Sequence, residues 1–310
     1  MTDEDLLKLA LSRLEATGFI EYTGEYGAEL TTFVPFAHWL KTQGLLSGRR
    51  VVSYHGMRAY YYFLDDGEFA EKPGPRAWAP NASRIWPSHS TYTATRQPWH
   101  VMADYRTRYA AQGRTFDRPV LFIQNKFAVE WELGPVNFMP LKVLRTLFGL
   151  AANRFSVVYS RPRDRPGTPD YTTDHNKFAD YPDILLARSY SDVLILEDHC
   201  DQTGAPYNQT KLEMLAKSRV MVSVQGGGAH LLACFGESLL LLLHLRGDEY
   251  PHAYAAGPYK YLAEPAPVLL LATSFEELAA GADLIASIRV DGAKLEFKDH
   301  HMATFETLRF

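Results

Sequence analysis

The sequence has few cysteines, no long apolar run and no excess of basic residues, and each of these absences excludes a class of protein. Two cysteines among 310 residues, Cys200 and Cys234, cannot form a disulfide scaffold, and neither lies in a CxxC pair. Apolar runs such as Leu239–Leu243 are much shorter than the roughly 20 residues that cross a bilayer, and the first residues lack the basic region of an export signal. We therefore expect a reduced cytoplasmic protein without a transmembrane segment.

The balance of charge excludes a protein that binds nucleic acid through bulk positive charge. Lys and Arg together number 32, Asp and Glu number 36, and the formal net charge is −4. An anion-binding site in this chain must therefore be built locally, from a few cations or from backbone amides.

Several catalytic motifs are also missing. No Lys-Ser or Lys-Thr pair follows a glycine-rich loop, so the chain has no Walker loop, and it has no GxSxG elbow of a nucleophilic hydrolase. No Asp-x-Asp motif follows a predicted strand, and the runs EDHCD (197–201) and KDHHM (298–302) lack the spacing of a zinc site. We expect chemistry that requires neither a metal nor a cofactor.

Hydrophobic periodicity predicts two α/β halves that meet near residue 116. In the first half, a short strand, a glycine-bearing turn, a helix over about 28–42 and a strand at Arg50–Tyr54 follow one another in the order of a βαβ unit. Residues 65–100 are rich in Pro, Gly, Trp and Ser, which predicts an irregular insertion. We therefore expect a Rossmann-like domain over 1–115 that carries this insertion.

The second half, 116–310, predicts a more regular Rossmann-like domain. Its strands are apolar throughout and alternate with helices, as expected of a parallel sheet that is covered on both faces. The predicted fold class is thus α/β, with two doubly wound domains that face a cleft. In such sheets ligands bind at the carboxyl ends of the strands, so the residues that directly follow each strand are the candidates for chemistry.

The strongest candidate is a glycine triplet between a buried strand and a short helix. It consists of Gly226, Gly227 and Gly228 and is followed by Ala229 and His230. Glycines allow a ligand to approach the backbone, and the amides at the start of a helix suit a phosphate or pyrophosphate. A tight strand-to-helix turn without a ligand is the alternative explanation.

Polar residues that follow other strands add to this picture. Arg161, Arg163 and Arg165 follow one predicted strand and Lys126 follows another, and arginine forks match phosphate oxygens. A solvated basic loop is the alternative for any one of these arginines. Taken with the glycine turn, the cations indicate an anionic leaving group such as a nucleoside diphosphate.

Three further polar residues are candidates for the same site. Glu197 follows a strand and could accept hydrogen bonds from a ribose, although a loop or capping carboxylate fits equally well. Asp174 and His175 lie in a polar loop after the arginines and would reach the cleft if that loop folds over the donor.

Two stretches carry a resemblance to a known family. The segment from Tyr207 to His244, which contains LAKSRVMVSVQGGGAHLLACFGESLLLLLH, resembles the donor-binding region of GT-B glycosyltransferases, particularly the heptosyltransferase-like branch. The segment FIEYTGEYGAELTTFVPFAHWLKTQG is similar to the first strand, Gly-acidic turn and helix of the same family. Gln225 stands where that branch often has an acidic or hydroxyl residue. Together the two stretches cover about a fifth of the chain.

The resemblance implies a GT-B-like fold and a role for each matched stretch. It implies that Gly227, Gly228, Ala229 and His230 hold the diphosphate of a nucleotide-sugar donor, whereas the first turn faces the acceptor. A transferase of this kind needs a general base for the acceptor hydroxyl.

Three residues are candidates for that base. Glu25 is the first because it occupies the Gly-acidic turn, and Glu29, one helical turn further on, and His55, after the adjacent strand, could replace it. The two carboxylates could instead complement a helix N-terminus, and the His could be a hydrogen-bonded turn residue.

The function predicted from the sequence is metal-independent glycosyl transfer. A sugar would move from a nucleotide-sugar to a hydroxyl acceptor such as a glycan, in glycan or polysaccharide biosynthesis. Two alternatives remain open: a sugar-nucleotide epimerase of the same fold, which uses the phosphate site without an acceptor, and a non-catalytic module that binds a nucleotide or glycan.

Overall fold

The computed structural model describes residues 2–74, 76, 96–130, 134–163, 180–247, 258–291, 294–296 and 307–308, which form a three-stranded parallel sheet, a mainly parallel seven-stranded sheet and an antiparallel pair of strands, Arg289–Asp291 with Lys294–Glu296. The described strands are β1 (Phe19–Glu21), β2 (Arg50–Tyr54), β3 (Phe69–Lys72), β4 (Val120–Gln124), β5 (Ser156–Ser160), β6 (Val193–Ile195), β7 (Ser218–Val224), β8 (Leu239–Leu243), β9 (Val268–Ala272), β10 (Arg289–Asp291), β11 (Lys294–Glu296) and β12 (Thr307–Leu308). The described α-helices are α1 (Asp3–Thr17), α2 (Tyr26–Ala28), α3 (Val34–Thr42), α4 (Tyr105–Tyr109), α5 (Leu141–Gly149), α6 (Asp183–Arg188), α7 (Leu196–Thr203), α8 (Tyr207–Lys217), α9 (Gly227–Ala233) and α10 (Phe275–Ser287). None of these helices is long and apolar enough to cross a bilayer.

The first sheet contains three parallel strands in the order β1-β2-β3. The connection from β1 to β2 is a continuous helical segment in which α2 leads through the π-helical turn Glu29–Phe33 into α3. A π-turn inserts an extra residue per turn and often occurs beside a functional site. The predicted βαβ unit is therefore present.

Residues 65–100 were expected to be irregular, and this expectation is wrong for their first part. A 3-10 turn at Asp66–Glu68, whose N-terminus is capped by Asp65, leads into β3, which pairs with β2. The sequence FAEK of β3 has no apolar run, and Phe69 is the one buried residue of the strand. The strand is stabilised by backbone pairing with β2, which composition does not show. Residues 75 and 77–95 of the insertion lie outside the described residues.

The second sheet has the strand order β12-β9-β8-β7-β4-β5-β6, with β12 antiparallel and the other six strands parallel. From β4 the chain first builds outward through β5 and β6, then returns to the other side of β4 and builds outward through β7, β8 and β9. This is the order of a doubly wound Rossmann sheet, and its direction reverses between β4 and β7. The crevice beyond the carboxyl ends of these two strands is where such sheets bind ligands.

Side chains that alternate along the strands of the second sheet point into two separate cores. Leu121 and Ile123 of β4 point into a core with helices α5 and α10. Phe122 points to the other face, into a core that also contains Ile20 and Val51 of the first sheet. Because one core is shared by both sheets, their carboxyl edges are held close together. The predicted α/β class with parallel sheets is confirmed, and the arrangement is consistent with a GT-B-like fold.

One helix of the second half is absent from the sequence prediction. Helix α7 begins directly after β6, carries the polar sequence LEDHCDQT and ends at Gly204, which adopts a left-handed conformation. Its few apolar residues give no clear helical period. Glu197 therefore lies in the first turn of a helix rather than at the end of a strand.

Candidate functional site

The glycine triplet lies at the point where the second sheet reverses direction. Strand β7 ends at Val224, Gly226 takes a positive φ of 130°, and α9 begins at Gly227. The amides of Gly227 and Gly228 have no hydrogen-bond acceptor among the described residues. These two N–H groups can therefore donate to a ligand, because the first amides of a helix have no partner inside it.

The two residues after the triplet have a different role. The amides of Ala229 and His230 both donate to the carbonyl of Gly226, at 2.9 and 3.4 Å. They close the first turn of the helix, so the amides of Ala229 and His230 are not open to a ligand.

Close packing accounts for the absence of side chains at the triplet. A Cβ on Gly228 would collide with the carboxamide of Gln124, and one on Gly227 would lie 3.1 Å from the amide nitrogen of Gly27. A Cβ on Gly226 would lie 3.2 Å from Nζ of Lys126. This packing fits the tight-turn explanation, and the acceptor-free amides at the start of α9 fit a bound phosphate as well.

Lys126 places a cation beside the triplet, but that cation has an acidic partner. Its Nζ forms an ion pair with Glu130 and lies 3.4 Å from Oε1 of Gln225. Burial lowers the pKa of Lys126, and the carboxylate of Glu130 opposes that effect. Glu130 in turn accepts a hydrogen bond from the amide of Asn137 at 2.8 Å.

His230 is buried against the same turn and is neutral at neutral pH. Its Nδ1 lies 3.1 Å from the hydroxyl of Tyr259. Burial, together with the charges of Lys126 and His244, lowers the pKa of His230 to about 4. The residue is therefore a hydrogen-bonding group and not a source of positive charge.

The turn after β1 packs against the glycine triplet. Glu25 is exposed and precedes the first residue of α2, and the hydroxyl of Tyr22 donates to its carbonyl at 2.5 Å. Arg76 donates to the carbonyl of Gly24 at 3.3 Å and so supports the same turn. Two residues after Glu25, Gly27 packs directly on the glycine triplet. The structure therefore brings the Gly-acidic turn and the glycine triplet together.

The other two candidates for the general base have partners of their own. Glu29 is fully buried, forms an ion pair with Arg76 at 2.5 Å, and accepts hydrogen bonds from Ser53 and from Tyr61, the latter at 2.6 Å. The Nδ1 atom of His55 lies 2.7 Å from a carboxylate oxygen of Glu71, and the His side chain is half exposed. These contacts engage Glu29 and His55 with groups inside the protein, whereas Glu25 is exposed on the turn that packs on the glycine triplet.

The two described arginines after β5, Arg161 and Arg163, are paired with acids on other elements. Arg161 follows Tyr159 in the alternation of β5, so it lies on the face that carries α6, and its Nε is 3.0 Å from Asp183. Asp183 also accepts hydrogen bonds from Tyr159 and from Asn125. Strand β4 separates this cluster from β7. Arg161 is therefore part of a buried network behind the sheet.

Arg163 is also paired with an acid. Its Nη2 lies 2.5 Å from Oδ1 of Asp198, which additionally binds Arg188. Asp198 belongs to the EDHCD run, which lies along α7. In the described ranges, no group of three or more His, Cys, Asp or Glu side chains is arranged to hold a metal ion. Arg165, Asp174, His175 and the KDHHM run lie outside the described residues.

Glu197 is buried on the face of the second sheet that carries α7 and α8, in a cluster that sequence reasoning did not assemble. Its Oε1 accepts hydrogen bonds from Ser160 at 2.8 Å and from Tyr207 at 3.1 Å. Gln124 and Ser160 could have been singled out, because each is the polar last residue of an apolar strand. Lys211 of the same region could not, because a lysine in an amphipathic helix predicts a solvated side chain.

Comparisons with known proteins give little beyond this geometry. No family model matches the sequence, and no curated protein matches it. Among solved structures, the chain is similar to the glycosyl transferase family 9 protein from Veillonella parvula DSM 2008, with 12% identity and a TM-score of 0.42. The alignment covers 86% of this chain and 88% of that chain.

Proposed function

We propose that the protein is a metal-independent glycosyltransferase that moves a sugar from a nucleotide-sugar to a hydroxyl acceptor. The observation that supports this most directly is the contact between the turn after β1 and the glycine triplet after β7. Gly27, on the turn that carries Glu25, packs on Gly227, whose amide has no acceptor. A transferase with two substrates needs an anion-binding wall opposite a wall that bears a base.

The donor diphosphate is assigned to the glycine triplet. The amides of Gly227 and Gly228 donate to its oxygens, and Lys126 supplies a positive charge beside the triplet. His230 adds a neutral hydrogen bond. Donors aimed at charge that develops on a leaving group are worth several kcal/mol when water is excluded. Glu197, buried on the same side of the sheet, is assigned to the ribose.

The base is assigned to Glu25. Its carboxylate takes the proton of the acceptor hydroxyl as that oxygen attacks the anomeric carbon, and the bond from this carbon to the diphosphate breaks. The nucleoside diphosphate departs with the electron pair of that bond. Each group thus acts on one side of the transferred sugar.

Ligand binding provides the first test. UDP, GDP, ADP and CMP are compared by thermal shift with the wild type, with Lys126→Met and with Lys142→Met, which changes an exposed lysine on α5. A ligand at about a hundredfold excess over its Kd should stabilise the wild type by about 2.7 kcal/mol. Lys126→Met should weaken the best diphosphate about tenfold because it removes a charge-assisted hydrogen bond, and Lys142→Met should not change binding.

Product analysis provides the second test. Glu25→Gln should bind the nucleotide normally and lose about 10²- to 10⁴-fold in transfer rate. Conversion of the nucleotide-sugar without release of the diphosphate would identify an epimerase. Absence of any reaction in the wild type, with nucleotide binding intact, would identify a binding module.

A further inference from the structure

The turn that carries Glu25 is held by side chains from three separate segments of the first half. The amide of Gly24 donates to the hydroxyl of Tyr54 at 3.3 Å, and the carbonyl of Gly24 accepts a hydrogen bond from Nη1 of Arg76 at the same distance. The carbonyl of Glu25 accepts a hydrogen bond from the hydroxyl of Tyr22. Each of these main-chain groups therefore has a side-chain partner, and the charged partner, Arg76, lies 52 positions along the chain from Gly24.

Arg76 packs on two of the aromatic rings around this turn. It is only 2% exposed, and its guanidinium carbon lies 4.5 Å from the ring centre of Tyr54 and 5.5 Å from that of Tyr26. A guanidinium is planar, stacks on aromatic faces and donates hydrogen bonds in a fixed fork, whereas an ammonium does none of these. Since Tyr26 directly follows Glu25 in the chain, the position of Arg76 constrains the residues on both sides of Glu25.

Glu29 supplies the negative charge that keeps Arg76 in place. Its Oε2 lies 2.5 Å from Nη2 of Arg76, and its Oε1 accepts hydrogen bonds from Ser53 and Tyr61. The amide of Glu29 also donates to the carbonyl of Glu25 at 3.1 Å, so the counter-ion and the turn are joined directly. A buried ion pair adds little net stability compared with apolar residues of the same volume. Its presence beside an exposed carboxylate therefore points to a need for exact geometry.

We propose that Arg76 is a positioning residue for proton transfer: with Glu29 as its buried counter-ion, it holds the turn 24–26 so that the carboxylate of Glu25 faces the acceptor hydroxyl. This inference rests on the proposed function, because Arg76 acts through Glu25. At 2% exposure the guanidinium is covered by the protein and is not placed to bind a substrate itself. A displacement of about 1 Å between reacting groups costs about 100-fold in rate. Loss of the guanidinium should therefore slow transfer without weakening donor binding.

The experiment is a double-mutant cycle on Arg76→Lys and Glu25→Gln. The rate is that of diphosphate release from UDP-, GDP- or ADP-glucose, whichever nucleotide binds best, with methyl glucopyranoside or water as the acceptor. Arg76→Lys keeps a charge for Glu29 but loses the planar fork, so kcat should fall about 100-fold while the Kd of the diphosphate stays within about threefold of wild type. In the Glu25→Gln background the same change should lower the remaining rate by less than about threefold, because residues that act as a unit are not additive.

A merely structural residue would behave differently in this cycle. Arg76→Lys would then lower the rate by the same factor whether residue 25 is Glu or Gln. Equal factors would therefore overturn the positioning role.

A second variant and a matched control guard against a simple loss of folding. Arg76→Met combined with Glu29→Gln removes both charges, so neither is left buried without a partner, and it should show the same loss of rate and the same non-additivity. The control is Arg154→Lys, because Arg154 also donates to a main-chain carbonyl, that of Ile288, and lies beside the ring of Phe155. It should keep the wild-type kinetics. Thermal unfolding confirms that each variant is folded.

Amide hydrogen exchange tests the hold on the turn without any reaction. Exchange in a peptide that covers residues 22–28 should be about tenfold faster in Arg76→Lys than in wild type, the effect of one lost hydrogen bond on local opening. Arg154→Lys should exchange like wild type in this peptide. Equal exchange in Arg76→Lys and wild type would show that Arg76 does not hold the turn, and would overturn the inference.

The outcomes separate this inference from the proposed function. If wild type releases diphosphate and Glu25→Gln is slow, but Arg76→Lys keeps the wild-type rate, the positioning role is wrong and the proposed function stands. If Glu25→Gln has the wild-type rate, the assignment of the base fails and the positioning role fails with it. If wild type binds nucleotide and releases no diphosphate, the proposed function itself is overturned.

Discussion

Two buried polar clusters in the second sheet contain similar residues and differ in how completely those residues are paired. Behind β5, the carboxylate of Asp183 forms an ion pair with Arg161 and accepts a hydrogen bond from the phenol of Tyr159. On the opposite face, Glu197 and Lys211 are just as buried, but Oε2 of Glu197 has no hydrogen-bond partner among the described residues, and Lys211 forms no ion pair within 4 Å there. A paired network stabilises the fold, whereas an incomplete one indicates a ligand. Cationic residues after a strand are therefore a weaker indication of a site than unmet hydrogen bonds.

Removal of Asp183 should give the largest effect on stability. Asp183→Ala leaves Arg161 as a buried charge without its carboxylate, so we expect a loss of about 3–5 kcal/mol in the free energy of unfolding. Denaturant titration measures this loss, and Asp183→Asn, which keeps the shape and a hydrogen-bond acceptor, should cost less. Nucleotide affinity should not change. If it fell while stability held, the paired cluster would belong to the site and the contrast between the clusters would fail.

At the cluster of Glu197 and Lys211, removal of a charged side chain should increase the free energy of unfolding instead of reducing it. Burial lowers the pKa of Lys211 to about 8, from an ordinary value of 10.5. Because the folded pKa is the lower one, wild-type stability is reduced below pH 8 and recovers as pH rises from about 8 to 10.5. Lys211→Met should therefore raise the free energy of unfolding by about 3 kcal/mol at pH 7 and should remove this recovery.

Urea titrations of wild type and Lys211→Met at several pH values between 7 and 10.5 measure that difference. A variant less stable than wild type at pH 7 would show that Lys211 is already satisfied in the free protein. The cluster would then resemble the Arg161 network, and no ligand would be needed to complete it.

The contact between the two sheets should give a smaller effect. A Cβ on Gly27 would lie 2.8 Å from Cδ2 of His230 and 3.1 Å from Cα of Gly227, so Gly27→Ala should cost about 1–3 kcal/mol through overpacking. Gly67→Ala is the control, because a Cβ there meets nothing within 4 Å. Thermal unfolding compares the two variants. Equal stabilities would mean that the carboxyl edges do not meet in solution as they do in this structure.

The smallest expected effect is that of His230 on the pH dependence of nucleotide affinity. Its pKa of about 4 lies below the ordinary 6.5, so the imidazole is neutral throughout pH 5–8. In His230→Gln, the pH dependence of nucleotide affinity over that range should match wild type, measured by calorimetry at four pH values. A titration near pH 6.5 that the variant abolishes would show that His230 carries charge in the complex.

Prediction from the sequence succeeded where a residue's environment follows from its neighbours in the chain. Continuous apolar segments such as Val120–Gln124 indicated the buried strands. The predicted strand Arg50–Tyr54 is observed with the same bounds. It failed for β3 and α7, whose polar sequences lack a clear period. Their stability comes from backbone pairing and from packing on elements distant in sequence.

The candidate site divides in the same way. The glycine triplet and the turn that carries Glu25 were found because each lies directly after a strand. The pairing of Arg161 with Asp183 joins residues 22 positions apart, and it removes an expected phosphate ligand from the cleft. Lys211 was not found, because burial of a lysine depends on what packs over its helix.

The amino-acid sequence alone determined the alternation of strands and helices, the absence of a Walker loop and the glycine turn at the end of a buried strand. These are local properties, since periodicity and turn chemistry act over a few residues. Only the tertiary structure decided which cations are neutralised, which amides and carboxylate oxygens lack a partner, and that Gly27 meets Gly227. Those depend on distances between side chains on different elements, from 22 residues apart for Arg161 and Asp183 to 200 apart for Gly27 and Gly227, and hydrogen bonding and charge pairing are set by distance.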